Sequence, residues 1–357
     1  MNLQPRHPYL NTRVSLLAAR LISIGQLEHF AHQAVEQRSY DSGELLNTSS
    51  ELGLQQVLNQ EISHPHQVFL VLTQGFMNDF MVLVRPLSGS ERDFLIYWLR
   101  KYEIANLKAI MRGKMAGLKA DQIRHQGLHD ISPFNSLPID ELLATEDTAE
   151  MLRQLAHSPY SEAAEQARQV HEKQQSFYAV EATIAHRYLS GLLRRARGIS
   201  ADSERTPLLS IVGLLLERFN LIWALRYRFT YQLSPAETYY LLISSAGSRL
   251  TGQALSSLVQ ASSIEQMLAH LPEDLQEQLE NTHSITRIEQ SIEAYVRTQA
   301  RHLLQRSSSA LARAFAYLLL RECEVLRLLA IVQGRHMQLP TEIIMQGVGL
   351  ADVGINL

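Results

Sequence analysis

The sequence predicts an all-α protein made of three similar multi-helix domains in series, and three observations carry that reading. Glycine and proline are sparse for 357 residues, at 17 and 11, while Leu, Ala, Glu, Gln and Arg dominate, which is the composition of helices. Runs that alternate apolar and polar residues, the mark of half-buried strands, are nearly absent. One helical pattern recurs three times at intervals near 110 residues, too long for the common short solenoid repeats, so each repeat must be a small multi-helix domain.

Periodicity places helices, in order, over 14–30, 91–115, 139–156, 161–197, 208–231, 285–305 and 310–335. The last carries Ala312, Ala316, Leu319, Cys323, Leu326 and Ala330 at steps of three or four, an apolar stripe, with Arg321, Glu324 and Arg327 on another face. Turn residues cluster at 85–90, 132–138, 198–207, 233–235 and 281–284. Ser234-Pro235-Ala236-Glu237 combines a capping serine, a proline at the first helical position and a glutamate at the third, so a helix starts there. Disorder is expected only in the tail after Gln346.

The three repeated helices are 102–118, 216–232 and 323–339. Glu103, Glu217 and Glu324 align, then Asn106, Asn220 and Arg327, then Leu107, Leu221 and Leu328, and each helix ends in basic residues: Arg112-Gly113-Lys114, Arg226-Tyr227-Arg228 and Gln333-Gly334-Arg335. A second element precedes two of them, Val180-Glu181-Ala182-Thr183-Ile184 matching Ile288-Glu289-Gln290-Ser291-Ile292. Helix-dipole preference accounts for an early acid and a late base in any helix, but not for the shared Asn, Leu and Gly positions. The repeats divide the chain into domains 1–124, 125–234 and 235–346, with a tail 347–357.

Charge excludes a nucleic-acid partner: 33 basic against 36 acidic residues and a pI near 6.5 give no broad positive field. Only five basic residues are lysine, and the arginine excess suits fixed contacts with carboxylates at protein interfaces. The single cysteine, Cys323, and the polar Met1–Leu10 stretch point to a reducing compartment without a signal peptide. The apolar runs 68–84 and 208–216 are interrupted or too short to span a bilayer.

Chemical constellations are weak. His64-Pro65-His66 and the pair His125/His129 lack further ligands at metal spacing, so no metal site is expected. Gly347, Gly349 and Gly354 are not framed by a strand and a helix, and no Gly-Lys-Ser/Thr cradle for phosphate occurs, so no nucleotide or other cofactor is expected. Cys323 reads as a buried, inert thiol and Arg194-Arg195-Ala196-Arg197 as a helix-end charge cluster. The acidic pairs Glu162/Glu165 and Glu277/Glu280 read as solvated faces. No catalytic residue is assigned.

The segments YEIANLKAIMRGKMAGL from Tyr102, LERFNLIWALR from Leu216 and RECEVLRLLAIVQGRHMQLPTEII from Arg321 resemble the C subunit of the bacterial and archaeal V-type (A-type) rotary ATPases, the counterpart of the d subunit in vacuolar proton pumps. The resemblance runs from about Tyr9 to Ile344 and departs from the pattern at Tyr227, where a Gly is expected, and at Arg327, where an Asn is expected. It implies a pseudo-threefold funnel of three helical domains, a non-catalytic central-stalk component on the cytoplasmic face of the membrane. Its partners would be the membrane rotor ring and the central shaft, and it would transmit torque without binding nucleotide or spanning the bilayer. With equivalent helix ends at one level around an axis, Arg112, Lys114, Arg226, Arg228 and Arg335 would form a cationic shaft interface, the alternative being dipole capping on exposed helix ends. The competing readings are a generic cytoplasmic helical scaffold of another complex and, more remotely, a helical enzyme.

Overall fold

The structure, a computed structural model, describes residues 7–36, 65–125, 127–174, 177–244, 249–279, 282 and 284–350, and every regular element among them is helical. The first helices are α1 (Pro8–Ala18), α2 (Ile24–Glu36), α3 (Pro65–Val84), α4 (Gly89–Leu99), α5 (Lys101–Met115) and α6 (Ala120–His125). There follow α7 (Ile139–Ala144), α8 (Thr148–Gln154), α9 (Ser161–Gln174), α10 (Phe177–Arg197), α11 (Asp202–Leu225) and α12 (Pro235–Leu241). The last are α13 (Gly252–Gln260), α14 (Ile264–Ala269), α15 (Glu273–Leu279), α16 (Ile285–Arg306), α17 (Ala310–His336) and α18 (Thr341–Gly347).

Several expected helices are interrupted by capping motifs. The stretch 14–30 breaks between α1 and α2 because Ser23 and Gln26 cap each other reciprocally: the Ser23 amide donates to Gln26 Oε1 (2.9 Å) and the Gln26 amide to Ser23 Oγ (3.2 Å). Likewise 139–156 breaks at Asp147, whose carboxylate accepts the Glu150 amide (2.7 Å) and starts α8. The capping box at Ser234 forms as its sequence predicts. The loop expected over 198–207 is shorter, because α11 already starts at Asp202 and runs through Pro207. Its first turn is anchored by the buried Glu204, whose carboxylate accepts the Leu311 amide (2.9 Å) and the Ser309 hydroxyl (2.6 Å) at the start of α17.

The chain forms two compact units, Met1–Ser88 with Ala201–Ile211 and Glu293–Leu357, and Gly89–Ser200 with Val212–Ile292. In the first, α1 and α3 pack on the N-terminal half of α17, burying Leu10, Val14, Phe76, Phe80, Leu311 and Phe315. In the second, α5 buries Leu107, Ile110 and Met111 against Ile123, Leu142, Met151, Val180 and Ile184. The stretch Asp202–Thr230 is long and apolar enough to cross a membrane, yet 67% of its most apolar window is buried inside the fold, as in a core helix.

All three repeated helices end alike. The amides of Leu118, Leu233 and Leu339 turn back to the carbonyls of Gly113, Tyr227 and Gly334, and the chain passes through positive φ at Gly117, Gln232 and Gln338. A short helix follows each time, α6, α12 and α18. In the first and third copies the glycine admits the isoleucine of that short helix: a Cβ on Gly113 would lie 2.5 Å from Ile123 Cγ1, and one on Gly334 2.8 Å from Ile344 Cγ1. In the second copy Tyr227 stands in the place of the glycine and Thr238 in that of the isoleucine, and both are fully buried. One extra residue is absorbed there by a π turn over Arg226–Thr230.

Gly113→Leu is therefore expected to lower stability by about 1–3 kcal/mol through overpacking. Adding Ile123→Thr should recover part of that loss, and urea denaturation of the two single variants and the double variant measures the coupling. Additive losses would mean that the two positions do not form one packing unit.

Candidate functional site

A glutamate inside an amphipathic helix normally faces water, but Glu103, Glu217 and Glu324 are 1%, 2% and 5% exposed. Each is held by donors from a distant segment. Glu103 accepts the amides of Leu137 (2.7 Å) and Ser136, the Ser136 hydroxyl (2.8 Å) and the Tyr160 hydroxyl. Glu217 accepts the Arg249 amide (2.8 Å) and its guanidinium (2.7 Å), which also reaches Asp274 (2.6 Å). Glu324 accepts the Ile22 amide (2.9 Å) and pairs with Arg321 (2.8 Å). The position three residues on repeats the device: Asn106 exchanges two hydrogen bonds with the His129 backbone (2.7 and 2.8 Å), and Asn220 does the same with Ile243 (2.9 Å each). Arg327, standing in the Asn place, reaches the Gly349 carbonyl (3.4 Å).

The basic helix ends complete the pattern. Lys114 donates to the carbonyls of Leu143 (3.1 Å) and Thr145 at the end of α7, Arg228 to Val259 (2.8 Å) in α13, and Arg335 to Phe30 and Ala31 in α2. So α7, α13 and α2 occupy corresponding places as lids. In the first two copies the lid follows its helix; in the third it comes from the start of the chain, 302 residues from Glu324.

The five predicted interface residues thus separate into two groups. Lys114, Arg228 and Arg335 are engaged by the fold's own carbonyls. Arg112 and Arg226 instead form ion pairs with Glu181 (2.6 Å) and Glu289 (2.5 Å), the glutamates that match each other in the second repeated element. Sequence reasoning missed Ile22, Asp79, Tyr160, Arg249, Tyr317 and Arg321. Only Arg321, three residues before Glu324, left a local signal.

The polarity expected of α17 is corrected. Arg321 and Glu324 are buried, whereas Leu326 and Ala330 are exposed. Buried beside them, Asp79 accepts from the Tyr317 hydroxyl (2.8 Å) and from Arg321 Nε (3.2 Å). A single guanidinium so faces two buried carboxylates. Burial pushes both carboxyl groups above their usual range, opposed at Asp79 by Arg321, Tyr317 and Arg20, and at Glu324 by Arg321 and the Ile22 amide.

The remaining candidates are placed as follows. His125 Nδ1 lies 2.6 Å from the Asp121 carbonyl and the His129 ring meets Tyr102 at a tilt, 4.9 Å between centroids; among the described residues no group of three metal-ligating side chains occurs. His64, Gly354 and Glu280 lie outside the described residues, as does the tail 351–357, while 341–347 is helical. Cys323 is half-buried, donates to Glu293 (3.3 Å), and its thiol is pushed up to about 12 by burial and by Glu293 and Glu322, which leaves it unreactive. Arg195 pairs with Asp93 (2.8 Å) and lies over the Tyr97 ring. Glu162 and Glu165 are exposed and face Arg187 and Arg168.

Residues 10–347 match the family model of the ATP synthase (C/AC39) subunit. The chain belongs to that family. Among similar proteins, the C subunit of the A-type ATP synthase of Methanocaldococcus jannaschii is 23% identical over 349 residues, covering 94% of this chain and 84% of its own length. That of Methanosarcina barkeri is 22% identical over 342 residues, covering 95% and 91%. Of the departures of this C/AC39 member, Tyr227 is fully buried and Arg327 reaches the Gly349 carbonyl.

The raised carboxyl groups fix the sign of a pH dependence. Each binds its proton more tightly in the folded than in the unfolded state, so its stabilising contribution is full below the unfolded value, about 4, and is lost as pH rises through the raised folded value. The urea midpoint should fall with rising pH in that window, and Asp79→Asn should reduce the slope. An equal slope in the variant would contradict this assignment.

Proposed function

We propose that this chain is the central-stalk C subunit of an A/V-type rotary ATPase, a non-catalytic rotor part that joins the membrane rotor ring to the central shaft and transmits torque between ATP turnover and ion transport. The observation that carries the reading is the family match over 10–347 combined with three copies of one carboxylate-pinned helix. A torque adaptor needs stiff, densely packed helices, and pinning each repeated helix to its lid by buried hydrogen bonds provides stiffness. Under this proposal the domains 1–124, 125–234 and 235–346 surround a pseudo-threefold axis as a funnel, with residues 22–31 supplying the lid of the third. The protein sits peripherally on the cytoplasmic face of the membrane and binds no nucleotide.

Of the five cationic helix ends, Arg112 (63% exposed) and Arg226 are the two whose side chains reach the surface through an ion pair, and they are the proposed shaft contacts. Lys114, Arg228 and Arg335 act through the lids they hold.

Co-purification of the chain with the rotor ring and shaft from solubilised membranes tests the reading; a chain that stays out of that complex refutes it. Stoichiometric ATP binding by the isolated chain in calorimetry would contradict the non-catalytic role. Arg226→Glu should weaken shaft binding by about 1–3 kcal/mol with little loss of stability, because the half-exposed pair with Glu289 is worth only about 0–1 kcal/mol. Lys114→Met should do the reverse, lowering stability by about 1.5–3 kcal/mol through two lost charged hydrogen bonds while folded protein keeps its affinity.

A further inference from the structure

Asp79 and Glu324 share one guanidinium, so this buried cluster holds one acid more than it has cations. Arg321 Nε meets Asp79 Oδ2 (3.2 Å) while its Nη1 meets Glu324 Oε2 (2.8 Å), and the three side chains are only 3%, 5% and 5% exposed, sealed from water. Two ionised carboxylates beside one cation would bury a net negative charge, which an apolar interior resists until one acid takes a proton. Such a pair titrates as a unit, above the ordinary carboxylate range. Burial pushes both groups in that same direction.

Hydrogen bonding selects which acid carries the proton. Glu324 is engaged at both oxygens, Oε1 by the Ile22 amide (2.9 Å) and Oε2 by Arg321, and a proton on either would meet a donor head-on. At Asp79 the Tyr317 hydroxyl (2.8 Å) and Arg321 Nε (3.2 Å) both converge on Oδ2, which leaves Oδ1 as the seat for a proton. Of the other charged or titratable groups on the elements packed around the pair, Arg20, exposed just after α1, favours ionised Asp79. Arg13 of α1, His32 of α2 and Glu342 of α18 are exposed, and Glu28 of α2 is half-buried. Asp79 is the only acidic residue of α3.

The wall of this cluster that moves most easily is α2. The helix α3 packs on α17 through Phe76, Phe80 and Leu83, and α1 through Leu10, Val14 and Leu17. Among its described side chains α2 buries only Leu27 and Ala31, and it is otherwise held by the Ile22 amide on Glu324 and by Arg335 on the carbonyls of Phe30 and Ala31. Few buried apolar contacts make for a low cost of local opening. Departure of Ile22 lets water reach Glu324 and leaves Arg321 to neutralise Asp79 alone.

We propose that Asp79 and Glu324 hold one proton between them, seated on Asp79 Oδ1, and that its loss releases the α2 strap from α17, a proton-sensitive latch on the third repeat. The latch is a property of this fold and stands apart from the rotary assignment.

Amide hydrogen exchange of the full chain across pH tests it, with rates expressed as protection relative to unstructured peptide so that base catalysis of the exchange itself cancels. Opening that frees one proton should cost Ile22 and α2 about tenfold in protection per pH unit, between the ordinary carboxylate value of about 4 and the raised closed-state value. Amides of α3 around Phe80 should keep theirs. Asp79→Asn, which fixes the neutral form, should make protection at Ile22 independent of pH and remove the infrared carbonyl band of a protonated carboxyl group seen in the wild type within that window. Tyr317→Phe, which removes a hydrogen bond favouring ionised Asp79, should move the fall in protection to higher pH, and it decides the matter if Asp79→Asn does not fold. Protection at Ile22 that does not change with pH in the wild type, an equal loss across α1 and α3, a carboxyl band that persists in Asp79→Asn, or an unmoved fall in Tyr317→Phe overturns the latch.

Discussion

A carboxylate buried on the packed face of a helix must be given hydrogen-bond donors, and in this molecule they come from other segments of the chain. That constraint organises this molecule. An ionised side chain left without donors in an apolar interior costs several kcal/mol, so each of Glu103, Glu217 and Glu324 fixes where another segment of chain must lie. The donors are backbone amides, at Leu137, Arg249 and Ile22, and a backbone amide can satisfy a carboxylate only where its segment has left regular helix. Loop position, lid position and helix position are thereby set together in each copy. Tyr160, whose hydroxyl ionisation is driven up by burial and by Glu103, and Arg249, whose proton is held by Glu217, show how differently the copies complete the same shell.

The third copy makes the constraint visible. Its lid is the beginning of the chain, so α1 and α2 are structurally the end of the repeat that α17 begins. Long-range closure of this kind costs loop entropy that grows only slowly with length, and the apolar burial of Leu10, Val14 and Leu17 on α17 contributes stabilisation against it. Arg313 adds a second tie, to Asn11 (2.6 Å) and Ser15 (3.0 Å). The proposed role as a stiff adaptor in a rotary complex and a chain that closes on its own start are mutually consistent features.

The all-α class and the three repeated helices were legible in the sequence because both rest on residue type and spacing along one chain. The repeated Asn and Gly were legible as positions, and their roles were not: a hydrogen bond 23 residues away and a close approach to a following helix leave no periodic trace. The breaks at Ser23 and Asp147 carry the same kind of capping signature that is plain at Ser234, but the strong apolar periodicity across them masks it. The polarity of α17 escapes a sequence reading because Arg321 and Glu324 are buried by partners far along the chain, Asp79 and Ile22, which leave no periodic trace. For the basic ends, the recurring charge is real, and what it serves for three of five is a neighbouring carbonyl, which sequence comparison cannot see.

The claim that each buried glutamate pins one lid is tested most directly by residue-resolved amide hydrogen exchange on Glu103→Gln, Glu217→Gln and Glu324→Gln, each under conditions where the variant stays folded. The account predicts that protection falls separately at Ser136 and Leu137, at Arg249, and at Ile22 and the following α2, so that a change near the end of the chain releases amides at its beginning. Protection lost evenly across the molecule, or retained at Ile22 when Glu324 is changed, would contradict it.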